Sequence, residues 1–422
     1  MSTQIVTEPE QGRLITRPFV LVTSVALIFF VYVGIMIPIV PLYIEGPLGA
    51  GEFGIGLTVA VFALAAILVR PFVGRIADRF GRRVLMVGGA LLAAAGGALS
   101  GHTSELWQLL TLRGVMGIGE AAVFVGAATL IADLSPRDRR AESASYFSVA
   151  IFGGLGVGPI LGEWLLGSDD DFTQAFMYAA LFAVAAAAIA CFAPSRVESP
   201  HDEAELAVDA AAADEKRPLI HHAAVLPGLV LACTVAAFAT FGAFIPDYSR
   251  EVGMAASGGL FAVYALSSLL IRVFGARMPE RLGPRRAVTI GITNIMISLL
   301  ILSLVPAVPA LWIASVFMGL GVAFNYPSLM ALTVNRASDR DRAIAVSSFT
   351  MFFEVGSAVG GLLLGAWAQI VGKQYGFLGG VVFCLLGLWL LRVKVVPPQA
   401  PDAGPAVTHT VSGINYIPVA GD

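Results

Sequence analysis

The sequence predicts an all-α integral membrane protein, with twelve transmembrane helices in two pseudo-symmetric six-helix halves. Three observations carry this. Hydrophobic residues make up 57% of the 422 and charged residues only 13%, with a mean hydropathy of +0.82, whereas a soluble chain of this length needs far more polar surface. Twelve apolar runs lie near 18–43, 54–73, 84–101, 106–133, 143–167, 173–193, 224–249, 257–276, 287–305, 309–335, 343–370 and 375–393, most of them close to the ~20 residues that cross a bilayer. One charged phrase is also written twice, 202 residues apart: Arg70, Arg75, Asp78, Arg79 and Gly81 match Arg272, Arg277, Glu280, Arg281 and Gly283. Gly154 and Gly158 match Gly356 and Gly360 at the same offset. Duplicated halves in a very apolar chain mark a secondary transporter.

The elements follow in order. Residues 1–17 are polar and read as a cytoplasmic N-terminal segment. Span 1 is too long for the apolar core of a cleavable signal. Residues 18–193 form the first half, 194–222 a cytoplasmic linker rich in Ala, Asp and Glu, and 223–393 the second half. A Pro- and Gly-rich tail, 394–422, is expected to be a disordered cytoplasmic segment. Lys and Arg set the orientation: with the N-terminus inside, 21 of 26 fall on cytoplasmic segments, two outside (Arg250, Lys373), and three within spans (Arg70, Arg113, Arg272). Both termini are therefore expected in the cytoplasm.

Ionisable residues inside spans are costly and point to function. Arg113 and Glu120 in span 4 are seven residues apart, on one face and about 10 Å apart along the axis. Arg113 is expected to hold Glu120 ionised until a proton or cationic substrate competes; a structural ion pair is the other reading. Glu354 is the only acid deep in span 11, and its repeat-mate is Phe152. A carboxyl isolated in lipid takes up a proton readily, which suits a proton carrier; a hydrogen-bonded structural role is the alternative. Glu163 and Asp247, near the outer ends of spans 5 and 7, read as interfacial or external-gate residues. Tyr32, Phe124, Phe241, Asn325 and Tyr326 are candidates for a substrate cavity. Cys191, Cys233 and Cys384 sit in apolar runs without metal spacing and read as buried small hydrophobes.

Three motifs resemble the major facilitator superfamily, and the resemblance covers residues 18–393. Gly74-Arg-Ile-Ala-Asp78-Arg79-Phe-Gly81-Arg82-Arg83 resembles the family's loop 2–3 signature. Arg113-Gly-Val-Met-Gly117-Ile-Gly119-Glu120 resembles its span-4 motif. Gly154-Leu-Gly-Val-Gly158-Pro159-Ile-Leu-Gly162 resembles the span-5 motif of drug and metabolite exporters, departing at Glu163. The resemblance implies the major facilitator fold. It also implies a gating latch in which Asp78 pairs across the halves with Arg82 and Asp133 as charge partners, flanked by Arg79 and Arg83. In the second copy Glu280 remains, but Pro284 and Asn335 replace the partners. For Gly154, Gly158, Pro159 and Gly162 it implies that span 5 seals the external side against span 8.

The expected function is secondary active transport, as proton-coupled efflux (antiport) of a small lipophilic drug or metabolite by alternating access. Glu120, Arg113 and Glu354 would couple protons. The alternatives are a sugar or metabolite permease, and, more remotely, a non-transporting membrane sensor. Enzyme chemistry has no support, because no phosphate loop, metal cluster or nucleophile triad is present. No cofactor is expected: a proton gradient supplies the energy. Expected partners are a small-molecule substrate, protons and the lipid bilayer of a bacterial inner membrane, with no nucleic acid; a monomer suffices.

Overall fold

The computed structural model describes residues 14–136, 139–167, 171–195, 221–274, 282–337 and 342–393. The linker and tail expected from composition thus lie almost wholly outside the described residues, as does Glu280. The described residues form twelve α-helices: α1 Arg17–Glu45, α2 Gly51–Phe80, α3 Arg82–Ser100, α4 Leu106–Leu134, α5 Arg140–Leu166, α6 Phe172–Ala190, α7 His222–Glu251, α8 Gly258–Phe274, α9 Pro284–Leu304, α10 Val308–Val334, α11 Arg342–Val371 and α12 Lys373–Val393. Eleven are long and apolar enough to cross a membrane. The exception, α8, is 17 residues long because the described chain breaks off at Phe274.

Local chemistry sets the ends. Thr16 accepts from the Phe19 N–H to cap α1, with Pro18 in its first turn. Asp171 caps α6 through the Gln174 N–H, and a reciprocal box of Glu105 and Gln108 opens α4. Between α2 and α3 a single residue, Gly81, turns the chain with φ +87°, and its repeat-mate Gly283 stands at φ +78° before α9. This corrects one expectation. The charged signature is not a loop: nothing in Ile76-Ala77-Asp78-Arg79-Phe80 stops a helix, so α2 runs on until Gly81 and carries Gly74, Asp78 and Arg79 in its last two turns. The surroundings of Gly74 and the side chain of Asp78 lie outside the described residues.

The packing is duplicated as the sequence is. In the first half α1 packs on α5 and α6, α3 on α4 and α6, and α2 on α4. In the second half α7 packs on α11 and α12, α9 on α10 and α12, and α8 on α10. Two seams join the halves, α2 against α11 and α5 against α8, and each is the other's repeat image.

The motif has two faces: Gly154, Gly158 and Gly162 hold α5 to α1, inside one half, while Gly156 and Pro159 face α8 across the seam, where a Cβ added at Gly156 would lie 2.4 Å from Ala265 Cβ. A Cβ added at Gly158 would lie 2.5 Å from Gly34 Cα, and one at Gly154 would lie 2.7 Å from Leu27 O. Gly162 likewise meets Ile35 O. The second half repeats the crossing with Gly356 on Ala232 and Gly360 on Ala236. Small residues at a crossing let backbones touch in lipid, where packing drives association. Gly158→Val is therefore expected to destabilise the fold by about 1–3 kcal/mol through overpacking. Gly88→Ala, where an added Cβ meets nothing within 4 Å, should be neutral or stabilising by up to about 1 kcal/mol. Thermal melts of the detergent-purified variants check both.

Candidate functional site: a central cavity and its seams

We call the face where α1 begins and α12 ends the terminal face, and the opposite one the distal face. Between the halves lies a cavity of about 280 Å³, lined by α1, α2, α4, α5, α7, α8, α10 and α11, with Ile295 from α9. Its walls are mostly apolar and aromatic. The polar exceptions are few: Arg113 and Glu120 on α4, Glu354 on α11, Asn325 and Tyr326 on α10, Tyr32 on α1 and Tyr264 on α8, with Thr58, Thr234 and Ser357.

Each expected charge has a particular setting. Arg113 does not pair with Glu120: its guanidinium lies over the Phe62 ring, 4.6 Å from the centroid, and no ion pair joins the two residues. Two turns of helix separate them, and an aromatic face stands beside the arginine. Arg113 Nε, Glu120 Oε2 and both polar atoms of the Asn325 amide are buried without a hydrogen-bond partner. They are the groups a polar substrate atom or a proton can satisfy.

Glu354 is not isolated. Arg70 Nη2 donates to its Oε1 at 2.9 Å, from α2 to α11 and hence across the halves. Arg70 also stacks over Phe124, 5.7 Å from the centroid and one turn of α4 beyond Glu120. Its repeat-mate Arg272 spans the other seam, over Phe152 on α5 at 4.0 Å. Because Phe152 is the repeat-mate of Glu354, the two arginines make equivalent crossings with unlike partners. Sequence reasoning missed Arg70, although its place inside a span marked it.

The aromatic expectations divide. Tyr32 lines the cavity and donates to Ala93 O at 2.7 Å, and Asn325 and Tyr326 line it too. Phe124 and Phe241 do not. Phe124 packs with Phe30 and Phe147, and Phe241 is fully buried against Phe261 and Tyr264. Rings in a span pack on other rings as readily as they line a cavity. Of the cysteines, Cys233 and Cys384 are buried as expected, but Cys191 is exposed because it follows the last turn of α6.

At the distal face the halves are tied in three places. On the α5/α8 seam Glu163 accepts from the Ser257 N–H at 2.6 Å and from its hydroxyl, placing a carboxylate at the N-terminus of α8. On the α2/α11 seam Gln369 Oε1 accepts from the Phe53 N–H at 3.1 Å, in the first turn of α2. Gly56 is so close to α11 that an added Cβ would fall 2.0 Å from Gly361 O. Between α1 and α7, Lys373 donates to Glu45 at 3.1 Å, to Glu251 at 2.8 Å and to Asp247. The lysine is 6% exposed, so three carboxylates share one covered cation. Lys373→Met is expected to weaken this distal closure by about 1–2 kcal/mol, discounted for partial exposure of the acids. Distal labelling of a cysteine placed at Thr58 should rise accordingly.

At the terminal face, Arg82 on α3 forms an ion pair with Asp133 on α4. The Arg82 N–H donates to Ser195 O at 3.1 Å, and Arg83 Nε donates to Ala193 O. Arg79 lies over Phe80. At the distal end of the α5/α8 seam, by contrast, Pro159 and Ile160 approach Gly258 of α8. No cluster of metal-ligating side chains occurs among the described residues.

Two repeated six-helix bundles around a cavity, tied at one face, define a membrane transporter of the two-half type. The family model of the Major Facilitator Superfamily matches residues 22–260 and 228–417, and the chain belongs to that superfamily. It is an integral membrane transporter and not an enzyme. An uncharacterised MFS-type transporter of Salmonella typhimurium is 25% identical over 374 residues, 86% of this chain and 93% of that protein. The quinolone resistance protein NorA of Staphylococcus aureus is 32% identical over 147 residues, which is 35% of this chain and 37% of NorA. A solved POT family transporter in complex with 5-aminolevulinic acid matches with a TM-score of 0.73 at 14% identity, covering 92% of this chain and 96% of that one, a likeness of fold alone.

Proposed function

We propose that this transporter is a proton-coupled exporter of small lipophilic compounds in a bacterial inner membrane, with both termini cytoplasmic. The terminal face is then the cytoplasmic one, and the conformer described has its external side shut. The observation that carries the reading is the Arg70–Glu354 ion pair beside the cavity. A carboxylate that both lines the cavity and clasps the two halves links protonation to their relative movement. Protonating Glu354 from outside discharges the clasp; losing the proton inside restores it. Glu120 on the facing half offers the second carboxylate. The apolar walls suit a lipophilic solute better than a sugar, which needs many hydrogen-bonding partners. Local similarity to a quinolone resistance protein supports efflux. The ion pair Arg82–Asp133 belongs, on this reading, together with Asp78, to a cytoplasmic latch that closes in the opposite conformer.

The test uses everted membrane vesicles energised with a pH gradient and a panel of lipophilic cations, neutral drugs and sugars. Collapse of the gradient by a lipophilic class, lost in Glu120→Gln, is expected. Labelled solute that equilibrates without moving protons would overturn antiport and leave a facilitator.

A further inference from the structure

A second cavity, of about 230 Å³, lies in the seam between α5 and α8. Val157, Leu266 and Leu269 on its rim are exposed, so in a membrane they face lipid. Phe152 and Tyr264 line both this cleft and the central cavity and form the wall between them. One charge lines the cleft, Arg272. Its Nη2 is buried with no hydrogen-bond partner, and its Nε reaches only Ser268 Oγ, at 3.5 Å. Its other contact is the face of Phe152. Arg70, its repeat-mate, has a carboxylate; among the described residues Arg272 has none.

An arginine inside a bilayer without a counter-ion is costly, and such residues commonly pair or mark a binding site. Arg272 lies about 21 Å along α8 from its distal end, and hence about 10 Å inside the terminal face of a ~30 Å apolar core. The phosphates of that leaflet lie outside the apolar core, so a lipid seated on Arg272 is drawn about 10 Å inward along the cleft, with its acyl chains along the rim. Basic pockets between spanning helices hold anionic head groups in this way.

We propose that the α5/α8 cleft is a binding site for one anionic phospholipid of the terminal-face leaflet, its phosphate on Arg272 and an acyl chain along Val157 and Leu266. The bound phosphate supplies the negative charge that Glu354 supplies to Arg70 on the other seam. The lipid therefore bridges the halves where the chain itself has only a ring.

The experiment reconstitutes the full chain in nanodiscs of phosphatidylcholine doped with phosphatidylglycerol, transfers it to mild detergent, and weighs it by native mass spectrometry. The wild type is expected to retain one phosphatidylglycerol in preference to phosphatidylcholine. Arg272→Gln should lower that retention about tenfold, the worth of one charge-assisted bond to phosphate. Val157→Trp, which fills the cleft and leaves Arg272 in place, should do the same. Arg286→Gln removes an exposed cation on α9 at the same face and should change nothing. Undiminished retention in both cleft variants overturns the site. Loss in Val157→Trp alone overturns the assignment of an anionic head group, and equal loss in Arg286→Gln shows a diffuse surface attraction and overturns it too.

Discussion

Glu354→Gln is expected to abolish transport driven by a pH gradient while leaving downhill exchange of substrate measurable. Glutamine keeps the shape of the side chain and cannot carry a proton. It also leaves Arg70 without its charge partner inside a span, and breaking a buried pair from one side costs about 3–5 kcal/mol. Those two effects must be separated. In the double variant Arg70→Gln with Glu354→Gln both charges are gone, and replacing a whole pair is commonly neutral. Its melting temperature should return towards wild type while gradient-driven transport stays absent. Full gradient-driven transport by the single variant would remove Glu354 from the coupling step and leave the fold untouched.

The second large effect is expected at the distal end of the α2/α11 seam. Gly56→Val puts a side chain where the backbone of Gly361 already stands. Neither half needs that space to fold, because the clash lies between halves. The distal closure alone is penalised, by about 1–3 kcal/mol for overpacking, which is a shift in population of about five- to 150-fold. A cysteine at Thr58, which lines the cavity, should become accessible to an impermeant reagent added at the distal face. Gly158→Val acts within one half and should lower stability without that exposure. If both variants behave alike, the division between packing within a half and closure between halves is wrong.

Much of this is legible in the sequence. The twelve helices follow from run length and apolarity, and the two halves from an offset that aligns Arg70 with Arg272 and Gly81 with Gly283. The positive φ at both glycines follows from that repetition. Partners were less legible. Glu354 looked isolated because its counter-ion sits 284 positions earlier, and nothing in spacing says that α2 lies against α11. The Arg113–Glu120 pair was inferred from a shared helix face, but a face does not determine what stands opposite it, and Phe62 stands there. The motif's family role puts the span-5 glycines at the seam; contact geometry divides them, with Gly158 and Gly162 on Gly34 and Ile35 of α1 and Gly156 on Ala265 of α8. The Lys373 cluster gathers residues from α1, α7 and α12, with the lysine more than 100 positions from each acid, so spacing alone does not bring the lysine to its acids.

The two arginine crossings have a mechanical consequence. Duplication gave both seams the same guanidinium, and divergence gave one a carboxylate and the other a ring. A proton can cut the first link and has no purchase on the second, so under the proposed coupling protonation would loosen the α2/α11 seam at Arg70 while the ring contact of Arg272 persists, and the halves would open unevenly, as a door does on its hinge.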